Sequence, residues 1–192
     1  MDRETSLEAL RQKSLPIEKV KEIFDTFRED MEVVGQVAMN LSLRTSVYDR
    51  KREGGPIMIE LLEALSRTED MGSRWAVAKN PHTPPDILSK LASDDVNLVR
   101  ALVATNPNTP AAVLQKLFFD EKIVRDGLSG NPSTPPKLLT VLADDSDKMV
   151  RMRVAENPSA PEELLRKLAN DPDENVAKAA EANLGRERVD ER

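Results

Sequence analysis

The chain has 192 residues, a net charge of −6 and no cysteine. An acidic balance is unfavourable for binding nucleic acid, which usually needs a basic face. Without thiols, a disulfide framework, a thiolate nucleophile and a cysteine-held zinc or iron–sulfur cluster are excluded. A single histidine, His82, leaves a transition-metal site dependent on carboxylates. We therefore expect no metal and no cofactor.

The amino terminus is charged and leads into no apolar run. This pattern predicts neither a signal peptide nor a transmembrane segment. The default expectation is a cytoplasmic protein with no membrane contact.

The first structural feature along the chain is an apolar stripe between residues 20 and 41. Its members are alternately four and three residues apart, as in a heptad pattern; they are Val20, Phe24, Phe27, Met31, Val34, Ala38 and Leu41. We interpret residues 1–53 as a helical cap that covers the first repeat of the following region. The alternative is a homodimeric coiled coil through residues 20–41. A charged break at 48–55 separates this segment from the rest.

A repeat of 25 or 26 residues dominates the remainder of the chain. Asn-Pro pairs begin at Asn80, Asn106, Asn131 and Asn157, and Asn183 follows at the same spacing. A fixed period of this size is typical of a solenoid, in which each unit buries its apolar face against its neighbours. The predicted solenoid covers residues 54–185. It comprises a degenerate repeat at 54–79, regular repeats at 80–105, 106–130, 131–156 and 157–182, and is followed by a polar tail at 186–192.

Each repeat contains two helical signals and no strand signal. Thr83, Thr109 and Thr134 precede prolines, a pattern that predicts an N-cap followed by the first helical residue, and Ser159 takes the cap role in the fourth unit. Paired valines such as Val99 and Val103 predict a second, short helix of α or 3₁₀ type. The asparagines are expected to close the turns between repeats. The fold class is therefore all-α.

These columns resemble the leucine-rich repeat variant family. The resemblance rests on Leu142-Ala143, Asp145, Val150-Arg151, Val154-Ala155 and Asn157-Pro158, and the pattern is also similar to HEAT repeats. It implies a right-handed helical solenoid of alternating α and 3₁₀ helices. Founding members of the family carry an N-terminal iron–sulfur domain held by cysteines, and this cofactor is not expected in a chain without cysteine.

An arginine column is the first candidate site. It comprises Arg74, Arg100, Arg125 and Arg151. A second column, of aspartates, comprises Asp94, Asp120, Asp145 and Asp171. The arginines are interpreted either as partners of these aspartates in an internal ion-pair ladder or as an anion-binding stripe for phosphates.

The second candidate is a surface on the second helices. The residue after each arginine varies between repeats, and Trp75 and Met152 at this position suit a protein interface. Predicted partner-binding residues are Trp75, Arg100, Met152 and Arg153. No nucleophile with a matching base is present, so we expect no enzyme. The predicted function is a non-enzymatic binding or scaffold module for a protein or peptide, and the alternative is a nucleic-acid-binding repeat protein that uses the arginines.

Overall fold

The computed structural model describes residues 1–44 and 55–190 of the chain. These residues form α-helices joined by turns, without a strand or a 3₁₀ helix. The helices are α1 (Arg3–Leu10), α2 (Ile17–Thr26), α3 (Met31–Arg44), α4 (Pro56–Leu65), α5 (Met71–Lys79), α6 (Pro85–Leu91), α7 (Asn97–Thr105), α8 (Ala111–Leu117), α9 (Lys122–Gly130), α10 (Pro136–Leu142), α11 (Lys148–Glu156), α12 (Glu162–Leu168) and α13 (Glu174–Asp190). The prediction of an all-helical repeat fold is confirmed, and the second helix of each repeat is α-helical.

The chain divides into two compact units, residues 1–108 and 109–192. In the first unit, α1, α3, α5 and α7 contact one another in that order, and α2 contacts α4. In the second unit, α9, α11 and α13 contact one another in sequence. Each unit is therefore a stack of helical repeats. Its core consists of aliphatic side chains such as Val99, Val103, Val150 and Val154, all fully buried.

The cap prediction for the threonines is wrong. The first helices α6 and α10 begin at the second proline of each Pro-Pro pair, so Pro84 and Pro135 take the N-cap position. The Thr83 and Thr134 hydroxyls instead donate to main-chain carbonyls at the end of the preceding helix. Proline has φ already fixed near the required value, and this helix start therefore needs no side-chain cap. Ser159 is no cap either, since its hydroxyl donates to the Pro132 carbonyl at 2.7 Å.

The apolar stripe of residues 20–41 does not form one helix. It is divided between α2 and α3, with a break at residues 27–30. Val20, Phe24 and Leu41 are buried within the chain. These side chains, which would belong to the seam of a coiled coil, thus pack inside the protomer, and a homodimer through residues 20–41 stays a prediction. The predicted charged break lies almost entirely outside the described residues, and residues 186–190 of the predicted tail continue α13.

An asparagine ladder joins successive second helices. Asn157 Nδ2 donates to the Ser129 and Asn131 carbonyls at 2.8 and 3.0 Å, and its Oδ1 accepts from the Ser159 N–H at 2.8 Å. Asn106 and Asn183 donate to the equivalent carbonyls one repeat earlier. The predicted structural role of this column is correct, and each buried amide also links two repeats.

The ladder begins earlier than the Asn-Pro pairs suggest. Asn40 Nδ2 donates to the Leu10 and Gln12 carbonyls at 2.6 and 3.1 Å, in the same relation as the later asparagines. Val33 and Val37 are fully buried at the positions of the paired valines. Helix α3 is therefore a second helix of the repeat type. The division of the chain at residue 53 stays a prediction.

Among the described residues, no helix is both long enough and apolar enough to cross a membrane.

Candidate interaction surfaces

Two members of the arginine column are held identically, one in each unit. Arg74 Nε and Nη2 donate to the Asp94 carboxylate at 2.6 and 3.2 Å. Arg151 donates through the same atoms to Asp171 at 2.7 and 3.0 Å. In both cases the arginine of one repeat bonds in a bidentate manner to the aspartate of the next, twenty residues later. Bidentate pairs of this kind fix geometry as well as contributing energy.

The remaining guanidinium nitrogen of each pair is bound to the main chain. Arg74 Nη1 donates to the Thr68 carbonyl at 3.0 Å, and Arg151 Nη1 donates to the Asp145 carbonyl at 2.9 Å. The hydrogen bond from Arg151 holds the pKa of Asp171 below its ordinary value, and the same contact raises the pKa of Arg151. Both arginine side chains are about 15% exposed, so little of either guanidinium faces solvent.

The other two arginines follow the same plan. Arg125 Nε donates to Asp145 at 3.2 Å and its side chain is 31% exposed, which makes it the most open of the three pairs. Arg100 Nη1 donates to the Asp94 carbonyl at 2.8 Å, as its counterparts do within their own turns. This geometry is that of the internal ion-pair ladder. Anion binding by the column stays a prediction, and it would require the arginines to exchange carboxylate partners.

In the second unit, the predicted partner surface lies on α11. Met152 is half-buried, whereas Arg153 is exposed and forms no ion pair with any described residue. Two residues that the sequence analysis overlooked accompany them. Ile123 on α9 and Met149 on α11 are each 40% exposed and occupy the same column, two positions before the arginine. The available signal was the recurrence of Leu98, Ile123 and Met149 one residue before the buried valines of three successive repeats.

In the first unit, Trp75 and Arg100 lie on neighbouring helices, α5 and α7. Trp75 is half-buried, and the Lys79 ammonium nitrogen lies 5.0 Å from its ring centroid in a cation–π contact. Leu98, also on α7, is exposed in the same column as Ile123 and Met149. The tryptophan therefore presents part of its ring to solvent and uses the rest for packing.

Within the described residues, no group of three or more histidine and acidic side chains is arranged to hold a metal ion. His82 lies in the turn before α6, and the Asn80 side chain accepts a hydrogen bond from its main-chain N–H. The acidic residues of the turns receive main-chain hydrogen bonds and ion pairs of the repeat itself, as Asp145 and Asp171 do.

Comparison with known proteins agrees with this architecture. No curated protein matches the chain at a significant level. A solved structure described as a leucine-rich repeat variant with a novel repetitive protein structural motif shares its fold, with a TM-score of 0.50 and 24% sequence identity over 94% of this chain and 81% of that one. The family model for the leucine rich repeat variant matches residues 150–173, which span most of α11 and all of α12. The chain is thus a helical-repeat protein similar to the leucine-rich repeat variants.

Proposed function

We propose that this protein is a non-enzymatic scaffold of the cytoplasm that binds a protein partner through the exposed face of its second helices. The observation that carries the proposal is the pair of exposed apolar residues, Ile123 and Met149, beside Arg153, which forms no ion pair within the described part of the chain. An apolar centre with an arginine is the composition that protein interfaces favour.

The ion-pair ladder supports this choice of surface. Arg125 and Arg151 are needed by the aspartates of the next repeat. Arg153 has no such partner among the described residues, and the other repeats carry Ala76, Leu102, Gly127 and Ala179 at its position. The stack does not require an arginine there, and its exposed guanidinium can pair with a carboxylate of a partner. In the first unit, Trp75, Arg100 and Leu98 supply the corresponding contacts.

Affinity capture followed by mass spectrometry tests the proposal. Full-length protein is used as bait in a lysate of the parent organism, beside a Met152→Ala/Arg153→Ala variant and a Trp75→Ala variant. A partner retained by the wild type should bind both variants about tenfold more weakly. The melting temperature should change little for Met152→Ala/Arg153→Ala, since substitutions at the surface usually affect stability weakly.

The matched control is Arg166→Ala on α12, which removes an exposed arginine from a first helix. This variant should retain the partner. Equal retention by the wild type and by both partner-surface variants would contradict the proposal. Capture of nucleic acid in place of protein, lost at high ionic strength, would favour the alternative function.

A further inference from the structure

The second unit carries an exposed aromatic side chain that the repeat does not require. Phe119, in the turn after α8, is 87% exposed. The other repeats carry Ser93, Asp144 and Asn170 at this position. The Phe118 ring lies against Phe119 in an edge-to-face arrangement, with the ring centroids 5.2 Å apart. This contact holds the aromatic side chain at the surface and so reduces the entropy that it would lose on binding.

A second irregularity lies beside the first. Val141, on α10, is 55% exposed, and the other repeats carry Lys90, Lys116 and Lys167 at its position. One repeat later, the equivalents of Phe119 and Val141 are Asp144 and Lys167, whose side chains form an ion pair of 2.5 Å. The repeat geometry therefore places Phe119 and Val141 side by side. Two apolar groups thus stand where the following repeat has an exposed ion pair.

The third feature of this site is a pair of lysines on the adjoining helices. Helices α8 and α10 contain Lys116 and Lys137 and no acidic residue. In α12, by contrast, Arg166 is paired with Glu162 at 2.6 Å. Lys137 occupies a column that holds Asp86 and Glu163 in other repeats, so the charge is reversed at this site. Neither lysine forms an ion pair with a carboxylate of the described residues.

We propose that these four residues, Lys116, Phe119, Lys137 and Val141, form a docking site for an acidic amphipathic segment of a partner protein; we call it the α8/α10 patch. Phe119 and Val141 would bury the apolar side chains of the segment, and the lysines would pair with its carboxylates. Charge complementarity selects this partner. Nucleic acid and anionic membranes also attract lysine, but both need a larger basic surface than two lysines on a chain with a net charge of −6. The nearby Asp144 already pairs with Lys167, whereas the two lysines of the patch have no carboxylate partner among the described residues.

The α8/α10 patch lies on first helices of the repeats. It is separate from the second-helix surface, which comprises Ile123, Met149, Met152 and Arg153. A negative result for one proposal therefore does not contradict the other. Affinity at the α8/α10 patch should depend on Phe119 more than on any other residue, because a large aromatic group near the centre of a patch is the usual hot spot of a protein interface.

The test uses substitutions taken from the protein's own repeats. The double variant Phe119→Ser/Val141→Lys introduces residue types that stand at these positions in other repeats, so it should keep the fold. A displayed random-peptide library is selected on the full-length wild type and depleted on this variant. The recovered peptides should combine acidic with apolar residues. Synthetic copies should bind the double variant, and also a Lys116→Glu/Lys137→Glu variant, about tenfold more weakly than the wild type.

Two controls make the result specific. Met152→Ala/Arg153→Ala, on the second-helix surface, should bind the recovered peptides as the wild type does, and circular dichroism should show unchanged helicity in every variant. Recovery of no peptide that prefers the wild type, or of peptides without acidic residues, would overturn the proposal. So would sedimentation of the wild type with phosphatidylserine vesicles that is lost in Phe119→Ser/Val141→Lys, because the patch would then be a membrane contact.

Discussion

At the scale of single residues, a buried threonine hydroxyl before α6 and another before α10 bond back to the second helix that precedes them. Thr83 Oγ1 donates to the Val77 carbonyl at 2.6 Å, and Thr134 Oγ1 donates to the Leu128 carbonyl at 2.7 Å. Both threonines are at most 2% exposed. The fourth regular repeat has Ala160 at this position, buried but without a donor. The Val154 carbonyl therefore lacks the hydroxyl bond that its counterparts receive.

We expect Ala160→Thr to stabilise the protein. The new hydroxyl can donate to the Val154 carbonyl as Thr134 does to Leu128, and a buried hydrogen bond of this kind contributes about 1 kcal/mol. For a chain of this length, this corresponds to a rise of roughly 2–4 °C in melting temperature. Thermal unfolding followed by circular dichroism measures the change.

The matched control is Thr134→Val, which keeps the shape and removes the donor. It should lower stability by about 1–2 kcal/mol, because the Leu128 carbonyl loses a buried partner. A lower melting temperature for Ala160→Thr would mean that the added atoms are too large for the site, and that the turn of the fourth repeat differs in shape from the others.

The threonines also show why the sequence pattern identified the correct residues but predicted the wrong hydrogen bonds for them. Thr-Pro is a frequent helix start, and the pattern predicts a side-chain acceptor at the N-cap. The following proline takes the N-cap position instead, which leaves the hydroxyl one residue outside the helix. Only the packing of one repeat's turn beneath the preceding helix reveals that the hydroxyl is a donor.

At the scale of helices, the length of α3 explains an unsatisfied amide. Asn80 Nδ2 is buried and has no hydrogen-bond partner among the described residues. The other ladder asparagines donate to the carbonyls of the preceding asparagine and of the residue two positions before it, which for Asn80 would be Asn40 and Ala38. These two carbonyls lie inside α3 and accept from N–H groups four residues later. At the start of the regular repeats a proline after the asparagine ends the helix, and the equivalent carbonyls can then accept from the asparagine of the next repeat, as those of Asn80 and Asn131 do. Leu41 follows Asn40 instead, and α3 continues to Arg44.

This difference predicts unequal effects from equal substitutions. Asn157→Ala removes two donated bonds and one accepted bond at a site that is 1% exposed. Loss of buried partners on this scale should cost about 3 kcal/mol. Asn80→Ala removes only the bond from the His82 N–H and relieves an unpaired donor, so it should cost about 1 kcal/mol or less. Chemical denaturation of both variants gives the comparison.

Equal losses for the two variants would contradict the proposed ladder. The result would imply that Asn80 has acceptors equivalent to those of Asn157. A reference variant is Asn170→Ala, which removes an exposed amide that donates only to the Arg166 carbonyl within its own turn. It should change stability by less than either ladder variant.

The same helix marks the limit of prediction from sequence. The run from Val33 to Asn40 has the pattern of the second half of the regular repeats, with buried aliphatic residues four apart, a small residue and an asparagine. The missing proline and the overlapping heptad stripe favoured one long capping helix instead. The regular repeats could be predicted because Thr-Pro pairs, valines and asparagines recur at a fixed spacing. The helical units nearer the amino terminus could not, because only the contacts between α1, α3 and α5 show that they stack.

The candidate surfaces were harder to predict than the fold. Sequence identified the arginine and aspartate columns, and it placed Met152 and Arg153 beside them. The exposure of Phe119 and Val141 could not be read from sequence, since each lies next to apolar residues, Phe118 and Leu142, and continues a normal aliphatic pattern. Comparison of their columns with the polar residues of other repeats is informative only after the structure has shown which positions face solvent.

At the scale of the whole molecule, many of the aspartates stabilise the fold in their ionised form. A set of aspartates in the described residues has pKa values below the ordinary value of 3.8, because each accepts hydrogen bonds from cationic side chains or main-chain N–H groups in the folded state; they are Asp2, Asp25, Asp30, Asp70, Asp94, Asp147, Asp171 and Asp173. These carboxylates lie at helix starts or in ion pairs within and between helices. Their ionised form is therefore part of the repeat architecture.

The sign of the resulting pH dependence follows from linkage. A carboxyl whose pKa is lower in the folded state stabilises the fold fully above its unfolded pKa, and this contribution is lost as the pH falls through the folded pKa. We therefore expect the free energy of unfolding to be nearly constant from neutral pH down to about pH 5 and to fall steeply below about pH 4. Urea unfolding at a series of pH values measures this profile.

We expect one aspartate, Asp171, to account for a measurable part of this dependence of stability on pH. Asp171 is 5% exposed and bonds to Arg151 through both carboxylate oxygens. Asp171→Asn should lower stability at neutral pH, since it leaves a largely buried arginine without its counter-charge, and it should flatten the fall below about pH 4 because one linked proton is removed. Asp144→Asn, in the exposed pair with Lys167, should change neither quantity much. A profile for Asp171→Asn parallel to that of the wild type would show that this pair does not link protonation to unfolding, and that the acid sensitivity arises at the helix starts instead.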